Sequence, residues 1–167
     1  GGDALNVAIT EVRRISRDLR PSALDDLGLS PALKSLSSEF SMRTGVEIEV
    51  STISFRDALP TDAKTTLFRV AQETLTNIER HAQATRVTLD LSVSRNGVVL
   101  TIADNGKGFE TQRRGANGKT ANGIGLRNMH ERLEFHNGEL TVSSSGNGTT
   151  ITARLPKHLL RKEFTSP

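Results

Sequence analysis

The spacing of hydrophobic positions changes along the chain, and the changes predict where helices and strands lie. Residues 61–82 carry apolar side chains three or four positions apart, the spacing of a helix with one buried face. Residues 46–50, 87–93 and 98–102 alternate apolar and polar side chains, which is the period of a strand. The pair Asn96-Gly97 separates the last two segments and is typical of a two-residue hairpin turn.

Two further helices and a second hairpin complete the pattern. Ser30 and Thr61 are candidate N-caps of helices, and another helix is expected from Leu126 to a stop at Gly138. Residues 140–142 and 149–155 predict the last hairpin. Because hairpins are mixed with helices, we predict an α+β fold, a two-layer α/β sandwich with a mixed, mostly antiparallel sheet.

The first twenty residues form a separate feature. Leu5, Val12 and Leu19 are seven apart, which predicts a helix with a narrow seam that ends before Pro21. So few heptads fit both a dimerising helix and an ordinary amphipathic helix. We therefore divide the chain into an N-terminal helix, a connector, a main domain and a tail, at residues 1–20, 21–29, 30–157 and 158–167.

Composition excludes several classes of function. The chain has no cysteine, so disulfides, thiolate metal sites and cysteine nucleophiles are excluded. It has no Trp or Tyr, which argues against stacking on single-stranded nucleic acid. A net charge of +3 permits an anionic ligand without implying nucleic acid. No apolar run approaches the length that spans a bilayer, so we expect no membrane contact. Because the chain lacks Trp and Tyr and has only a small net charge, we also expect no nucleic acid partner.

Polar side chains on the long helix are the first candidate for chemistry. Glu73, Asn77 and His81 are each four apart and so share one stripe of that helix. A carboxylate and an amide one turn apart can present oxygens to a hard cation or to a water. A solvated helix face explains the same spacing.

The second and third candidates are two glycine-rich segments. Asp104 ends a hydrophobic strand and opens the run DNGKGF, where a carboxylate could accept from an exocyclic amine; a plain Asx turn is the alternative. Gly123 and Gly125 lead into a helix, whose backbone N–H groups would form an anion site; a flexible loop is the alternative. Residues 113–120 fail the P-loop pattern because Arg113 stands where glycine is required.

Four motifs, taken in order, resemble the ATP-binding domain of sensor histidine kinases in the GHKL superfamily. The motifs resemble its N box, its two glycine boxes and its terminal Gly-Thr strand. They read QETLTNIERHAQA (72–84), DNGKGF (104–109), GIGLRNMHER (123–132) and GNGTTITARLP (146–156). The N box and the segment ISRDLRPSALDDLGLSPAL (15–33) resemble the nitrate/nitrite-sensor subfamily. The resemblance implies a Bergerat-type ATP-binding fold.

On the phosphate side, the resemblance implies a role for four N-box residues. Asn77 would coordinate Mg²⁺ between the nucleotide phosphates, and Glu73 would orient or activate a group near the γ-phosphate. Arg80 and His81 would line the phosphate side.

On the base and ribose side, the resemblance implies that Asp104 accepts from the adenine amino group and that Thr149 contacts the same site through water. The glycine boxes would admit the ring and follow the phosphates and ribose through Gly106, Gly108, Gly123, Gly125 and Leu126. Residues 110–122 would form an ATP lid.

The resemblance also implies a reaction. This chain would be cytoplasmic, and its parent protein would be a kinase compatible with an inner-membrane sensor. It would act as a homodimer that moves the ATP γ-phosphoryl group to a histidine and then to a response-regulator aspartate. No histidine precedes His81, so we expect the acceptor outside this chain and ATP binding without autophosphorylation. A GHKL serine kinase of the anti-sigma type and a non-catalytic nucleotide-sensing module are the alternatives.

Overall fold

The computed structural model describes Leu24 and residues 28–52, 59–94, 96–108 and 121–160, with side chains in the last range from residue 125 onward. Within these ranges the chain forms five strands. They are β1 (Glu47–Thr52), β2 (Arg86–Ser94), β3 (Gly97–Asp104), β4 (Glu139–Ser145) and β5 (Gly148–Pro156). They form one sheet in the order β1-β2-β3-β5-β4. β1 is parallel to β2 and the other pairs are antiparallel, so the sheet is mixed and mostly antiparallel, as predicted.

Within the described ranges, three α-helices with defined bounds cover one face of this sheet. They are α1 (Leu29–Thr44), α2 (Thr61–Asn77) and α3 (Ala121–Phe135). α2 continues as a π-helical segment (Ile78–Ala82), and a 3-10 turn (Lys157–Leu159) follows β5. Within the described residues, no helix is both long and apolar enough to cross a bilayer.

The core lies between the helices and the sheet because the central strands alternate as their sequence predicts. Every second strand residue is buried on the helical side: Val87, Leu89, Leu91, Val98, Leu100, Ile102, Ile151, Ala153 and Leu155. The opposite face carries exposed polar residues such as Thr88 and Arg154. A sheet with one buried face and one solvent-exposed face gives the predicted two-layer α/β sandwich.

Both predicted N-caps are wrong, by two residues at α1 and by one residue at α2. α1 begins at Leu29 with Gly28 in the cap position, at a φ of 93° that favours glycine. Ser30 therefore lies inside the helix, where its Oγ is buried without a hydrogen-bond partner among the described atoms. Thr61 is the first residue of α2, because Pro60, whose φ of −58° is fixed by its ring, occupies the cap position.

The ends of the predicted domain lie mostly outside the described residues. The predicted helix over residues 1–20 lies entirely outside them, as does most of the connector. Leu24 is described and is fully buried. At the other end, Leu160 also belongs to the core, so packing continues past residue 157. The four-part division stays a prediction.

The hairpin between β2 and β3 is present, but its register differs by one residue from the predicted turn. Ser94 pairs with Gly97, so Gly97 is the first residue of β3 rather than the second residue of the turn. Its φ of 128° is one that side chains rarely adopt, and a Cβ there would overlap the carbonyl oxygen of Leu155. Both constraints require glycine at this position.

Gly97→Ala is expected to lower the free energy of unfolding by at least about 1–3 kcal/mol, because the backbone strain of φ 128° adds to the overlap with Leu155. Denaturant unfolding followed by circular dichroism measures the change. Gly146→Ala is the matched control, because a Cβ at Gly146 meets nothing within 4 Å. Equal stability of the two variants would contradict the register described for this hairpin.

Candidate nucleotide-binding site

One cleft lies where the π-helical segment, the first turns of α3 and the ends of β3 and β5 meet. It contains about 460 Å³ of space not filled by protein atoms, part of which is open to solvent. Its polar lining comes from the N box, the first glycine box and the terminal strand: Thr74, Asn77, His81, Asp104 and Thr149. Segments that are far apart in sequence thus meet in one place.

The rest of the lining is apolar. It consists of Ile78, Ala82, Ile102, Leu126 and Ile151, together with Gly108. Ile102 precedes Asp104 by two residues and Ile151 follows Thr149 by two, so strand alternation places each isoleucine on the same face as its polar neighbour. Asp104, Thr149 and Leu126 are site residues predicted from the sequence, whereas the four other apolar residues are not. The strand period alone would have found Ile102 and Ile151.

The Asp104 carboxylate is held at the end of β3 by two backbone N–H groups. Gly106 N donates to its Oδ1 at 2.8 Å. Thr149, which pairs with Asp104 across β3 and β5, supplies the second donor. Burial raises the pKa of Asp104 above its ordinary value of 3.8, and the two N–H donors oppose that rise without cancelling it. The carboxylate is therefore oriented but under-solvated, and an additional donor in the cleft would stabilise its charge.

Asn105 fixes the loop that follows Asp104, a role that sequence reasoning missed. Its Oδ1 accepts from the backbone N–H groups of Thr85 and Arg86 at 2.9 and 3.0 Å. Its Nδ2 donates to Thr85 Oγ1 at 3.0 Å. Asparagine in a turn commonly bonds nearby backbone, but these partners are about twenty residues away, and only the fold brings them together.

The glycines of this loop are required by contacts within the protein. A Cβ at Gly106 would overlap the carbonyl oxygen of Ala82, the same oxygen that accepts from Lys107 N at 2.8 Å. A Cβ at Gly108, whose φ is 71°, would overlap the carbonyl oxygen of Ser145. Gly108 lines the cleft, whereas Gly106 lies against the π-helical segment. Close backbone packing therefore accounts for both glycines, and the admission of a ring stays a prediction.

Glu73 lies one turn before Asn77 and contacts α3 rather than lining the cleft. A Cβ at Gly125 would overlap Glu73 Oε1, so the carboxylate rests against the backbone of α3. Gly123 and Gly125 are both within α3, which begins at Ala121 and not at Leu126. The prediction of a glycine-rich lead into a helix at Leu126 is corrected accordingly, because helical hydrogen bonding extends through both glycines.

Of the remaining predicted residues, one lies away from the cleft and most of the others lie outside the described residues. Arg80 is exposed and does not line the cleft. The lid predicted over residues 110–122 lies outside the described residues except for its last two, which belong to α3. The basic residues of this predicted lid, Arg113, Arg114 and Lys119, also lie outside the described residues.

Residues 62–159 match the family model described as histidine kinase-, DNA gyrase B-, and HSP90-like ATPase. The chain belongs to this family. The matched segment contains every predicted site residue from Glu73 to Thr149, and ATP is the ligand that this ATPase domain implies.

Curated relatives show which kind of protein within this family the chain resembles. The chain is 46% identical over 157 residues to the sensor histidine kinase MctS of Rhizobium johnstonii, covering 94% of this chain and 34% of that protein. It is 36% identical over 149 residues to the oxygen sensor histidine kinase NreB of Staphylococcus carnosus, covering 89% and 42%. The chain thus spans about a third to two fifths of the length of these relatives. The resemblance to sensor histidine kinases is confirmed, and the chain is an ATP-binding catalytic domain of this type.

Solved structures support the fold. The histidine kinase domain of the blue-light activated kinase from Erythrobacter litoralis EL346 superposes with a TM-score of 0.64 at 21% identity. The match covers 78% of this chain and 61% of that one. The predicted fold class is confirmed by this match together with the five-stranded sheet.

Asp104→Asn is expected to change how stability depends on pH. Because burial raises the folded-state pKa of Asp104, the folded protein binds this proton more tightly than the unfolded chain. Stability therefore falls as pH rises from 3.8 through the raised pKa, and the asparagine variant lacks this fall. The free energy of unfolding of the original chain, minus that of the variant, should decrease over this window and then level off.

Denaturant titrations at a series of pH values from acid to neutral check this trend. Asp62→Asn, at the exposed start of α2, controls for the loss of a carboxylate at the surface. A difference that increases with pH would show that the two backbone donors outweigh burial at Asp104.

Proposed function

We propose that this domain catalyses transfer of the ATP γ-phosphoryl group to a histidine side chain, as part of a sensor histidine kinase. The observation that supports the proposal is that Asp104, Thr149, Asn77 and His81 all line one cleft. Because the base-recognising and phosphate-facing groups come from separate motifs, their convergence supports one nucleotide site. Catalysis then depends on positioning and on charge neutralisation, since phosphoryl transfer needs little covalent help from the protein.

Recognition of the base would take place at the end of β3. The ionised Asp104 carboxylate accepts from the exocyclic amine of adenine, which supplies the donor that its under-solvated charge lacks. The ring enters the apolar part of the cleft, where Ile78 and Ile102 lie among its walls. Thr149 adds a hydroxyl beside Asp104.

The phosphates would lie toward Asn77 and the start of α3. Among the described residues, no group of three or more His, Asp or Glu side chains could hold a metal ion by itself. The donors present instead fit Mg²⁺, which keeps several waters and is shared between few protein oxygens and substrate phosphates. Asn77 would hold it through its amide oxygen. Bound there, Mg²⁺ would neutralise charge that develops on the phosphate oxygens.

Glu73 would serve the attacking histidine. In the transfer, a bond forms between an imidazole nitrogen and the γ-phosphorus, and the bond from that phosphorus to the β–γ bridging oxygen breaks. The imidazole N–H proton passes to the Glu73 carboxylate, and ADP leaves. The contact between Glu73 Oε1 and Gly125 fixes the carboxylate beside the helix that borders the phosphates.

The acceptor would come from a different element. Of the chain's four histidines, His81 lies in the wall of the cleft, and His136 Nε2 is 3.2 Å from Thr66 Oγ1. His130 lies on α3 near Glu134, and His158 belongs to the 3-10 turn. In-line transfer needs an acceptor that can approach the γ-phosphate, which fixed elements of this fold do not provide. A histidine on a dimerisation helix of a homodimeric kinase meets this need, and a response-regulator aspartate is the proposed final acceptor.

Asn77→Ala is expected to weaken binding of Mg·ATP by about tenfold and to leave metal-free ADP nearly unchanged, because the amide oxygen serves the cation. Isothermal titration calorimetry with and without Mg²⁺ measures both constants. Thr76→Ala, one residue earlier on α2 and outside the cleft lining, is the control. An equal loss for both ligands would make Asn77 a purely structural residue.

The transfer reaction is the direct test of the proposed function. With labelled ATP, this chain alone is expected to acquire no phosphohistidine, whereas a histidine-bearing dimerisation domain added in trans should be labelled. Glu73→Gln should lower that rate by about 10²-fold or more while ATP affinity changes little, because only proton transfer is lost. Glu39→Gln, exposed on α1, is the matched control.

Two outcomes would contradict the proposal. Self-labelling of the isolated chain on histidine would overturn the assignment of an external acceptor. Acid-stable labelling of serine in a partner would favour a serine kinase of the anti-sigma type.

A further inference from the structure

A pair of hydroxyl groups lies at the base end of the cleft. Ser144 Oγ is 2.8 Å from Thr149 Oγ1, and either atom can be the donor. The two residues face each other across β4 and β5, on the side of the sheet that the helices cover. Thr149 is 6% exposed, and Ser144 is partly buried. A hydrogen bond between two sheltered side chains restricts the rotation of both hydroxyls.

The position of this pair relative to Asp104 is fixed by the backbone. Thr149 N–H donates to the Asp104 carboxylate, and Asp104 and Thr149 are partners in the sheet register. A Cβ at Gly108 would overlap the Ser145 carbonyl oxygen and lie 2.9 Å from Ser144 Oγ. The glycine loop therefore packs directly on the end of the β4–β5 hairpin. The Asp104 carboxylate and the Ser144–Thr149 hydroxyl pair are thus held in fixed positions relative to each other.

The direction of the hydrogen bond decides what Thr149 offers to the cleft. Each hydroxyl has one proton. If Ser144 donates to Thr149 Oγ1, the Thr149 proton is available to an acceptor in the cleft. On adenine, the edge beside the 6-amino group is N1, an unprotonated ring nitrogen that accepts. On guanine and hypoxanthine, the same edge presents an N1–H donor beside a 6-oxo acceptor.

We propose that Ser144 is a positioning residue that orients the Thr149 hydroxyl as a donor toward N1 of adenine. Together, Asp104 accepts from the 6-amino group and Thr149 donates to N1, a pattern that 6-oxopurines mismatch at both atoms. Ser144 contributes to base selectivity without touching the nucleotide. This inference rests on the proposed roles of Asp104 and Thr149 in binding adenine.

The test compares ADP with 1-deaza-ADP, which keeps the 6-amino group but replaces N1 by carbon. Calorimetric titrations use the original chain and the variants Ser144→Ala, Ser144→Thr and Ser143→Ala. Ser144→Ala should weaken ADP binding by about three- to tenfold and leave 1-deaza-ADP binding unchanged, since only ADP has the acceptor. Ser144→Thr keeps a hydroxyl and should restore ADP binding. Ser143→Ala, exposed on the opposite face of β4, should change neither ligand.

Several results would overturn the proposal. Equal weakening of both ligands by Ser144→Ala would show that Ser144 only packs, and no weakening would show that it does not orient Thr149. The original chain itself must prefer ADP to 1-deaza-ADP, and equal affinities would refute the proposal even if Ser144→Ala failed to fold.

A separate arm isolates the role of Asp104. Asp104→Asn should weaken ADP binding more than it weakens binding of purine riboside diphosphate, which lacks the 6-amino group. If Asp104→Asn weakens both equally, the adenine assignment fails, whatever the serine variants show. If the Asp104 arm succeeds while the Ser144 arm fails, the proposed function stands and only the positioning role is lost.

Discussion

The end of the β3–β5 pair is the constraint on which the site depends. There a partly buried carboxylate is held by the N–H groups of Gly106 and Thr149, one from the loop after β3 and one from the strand beside it. This arrangement satisfies part of the charge of Asp104 and leaves the rest to a ligand. If the protein neutralised this carboxylate completely, the empty cleft would be more stable, but the carboxylate would gain less stabilisation from a bound amine.

Close backbone packing surrounds that carboxylate. The loop after Asp104 meets the π-helical segment at the Ala82 carbonyl, which accepts from Lys107 N, and it meets the β4–β5 hairpin at Ser145. Glycines at positions 106 and 108 make both approaches possible because neither has a Cβ. The same contacts therefore place the loop after Asp104 close to both neighbouring segments.

The strands and the site motifs could be predicted because their signals are local. Alternation of apolar residues placed β2, β3 and β5, and it put Asp104 at a strand end. The helix starts and the hairpin register were missed by one to five residues, because Gly28, Pro60 and the Leu155 carbonyl decide them through backbone geometry. The contact of Glu73 with Gly125 and the bonds of Asn105 join distant segments, so no local pattern reveals them.

The π-helical segment has a consequence for how many residues this region can contain. In an α-helix each residue advances the chain by about 100° around the axis. The wider turns from Ile78 to Ala82 accommodate one residue more than regular α-helical geometry would. Regular α-helical winding of the same residues would carry Ala82 further around the axis and turn its carbonyl away from Lys107 N. The length of this segment, and not only its composition, is therefore under structural constraint.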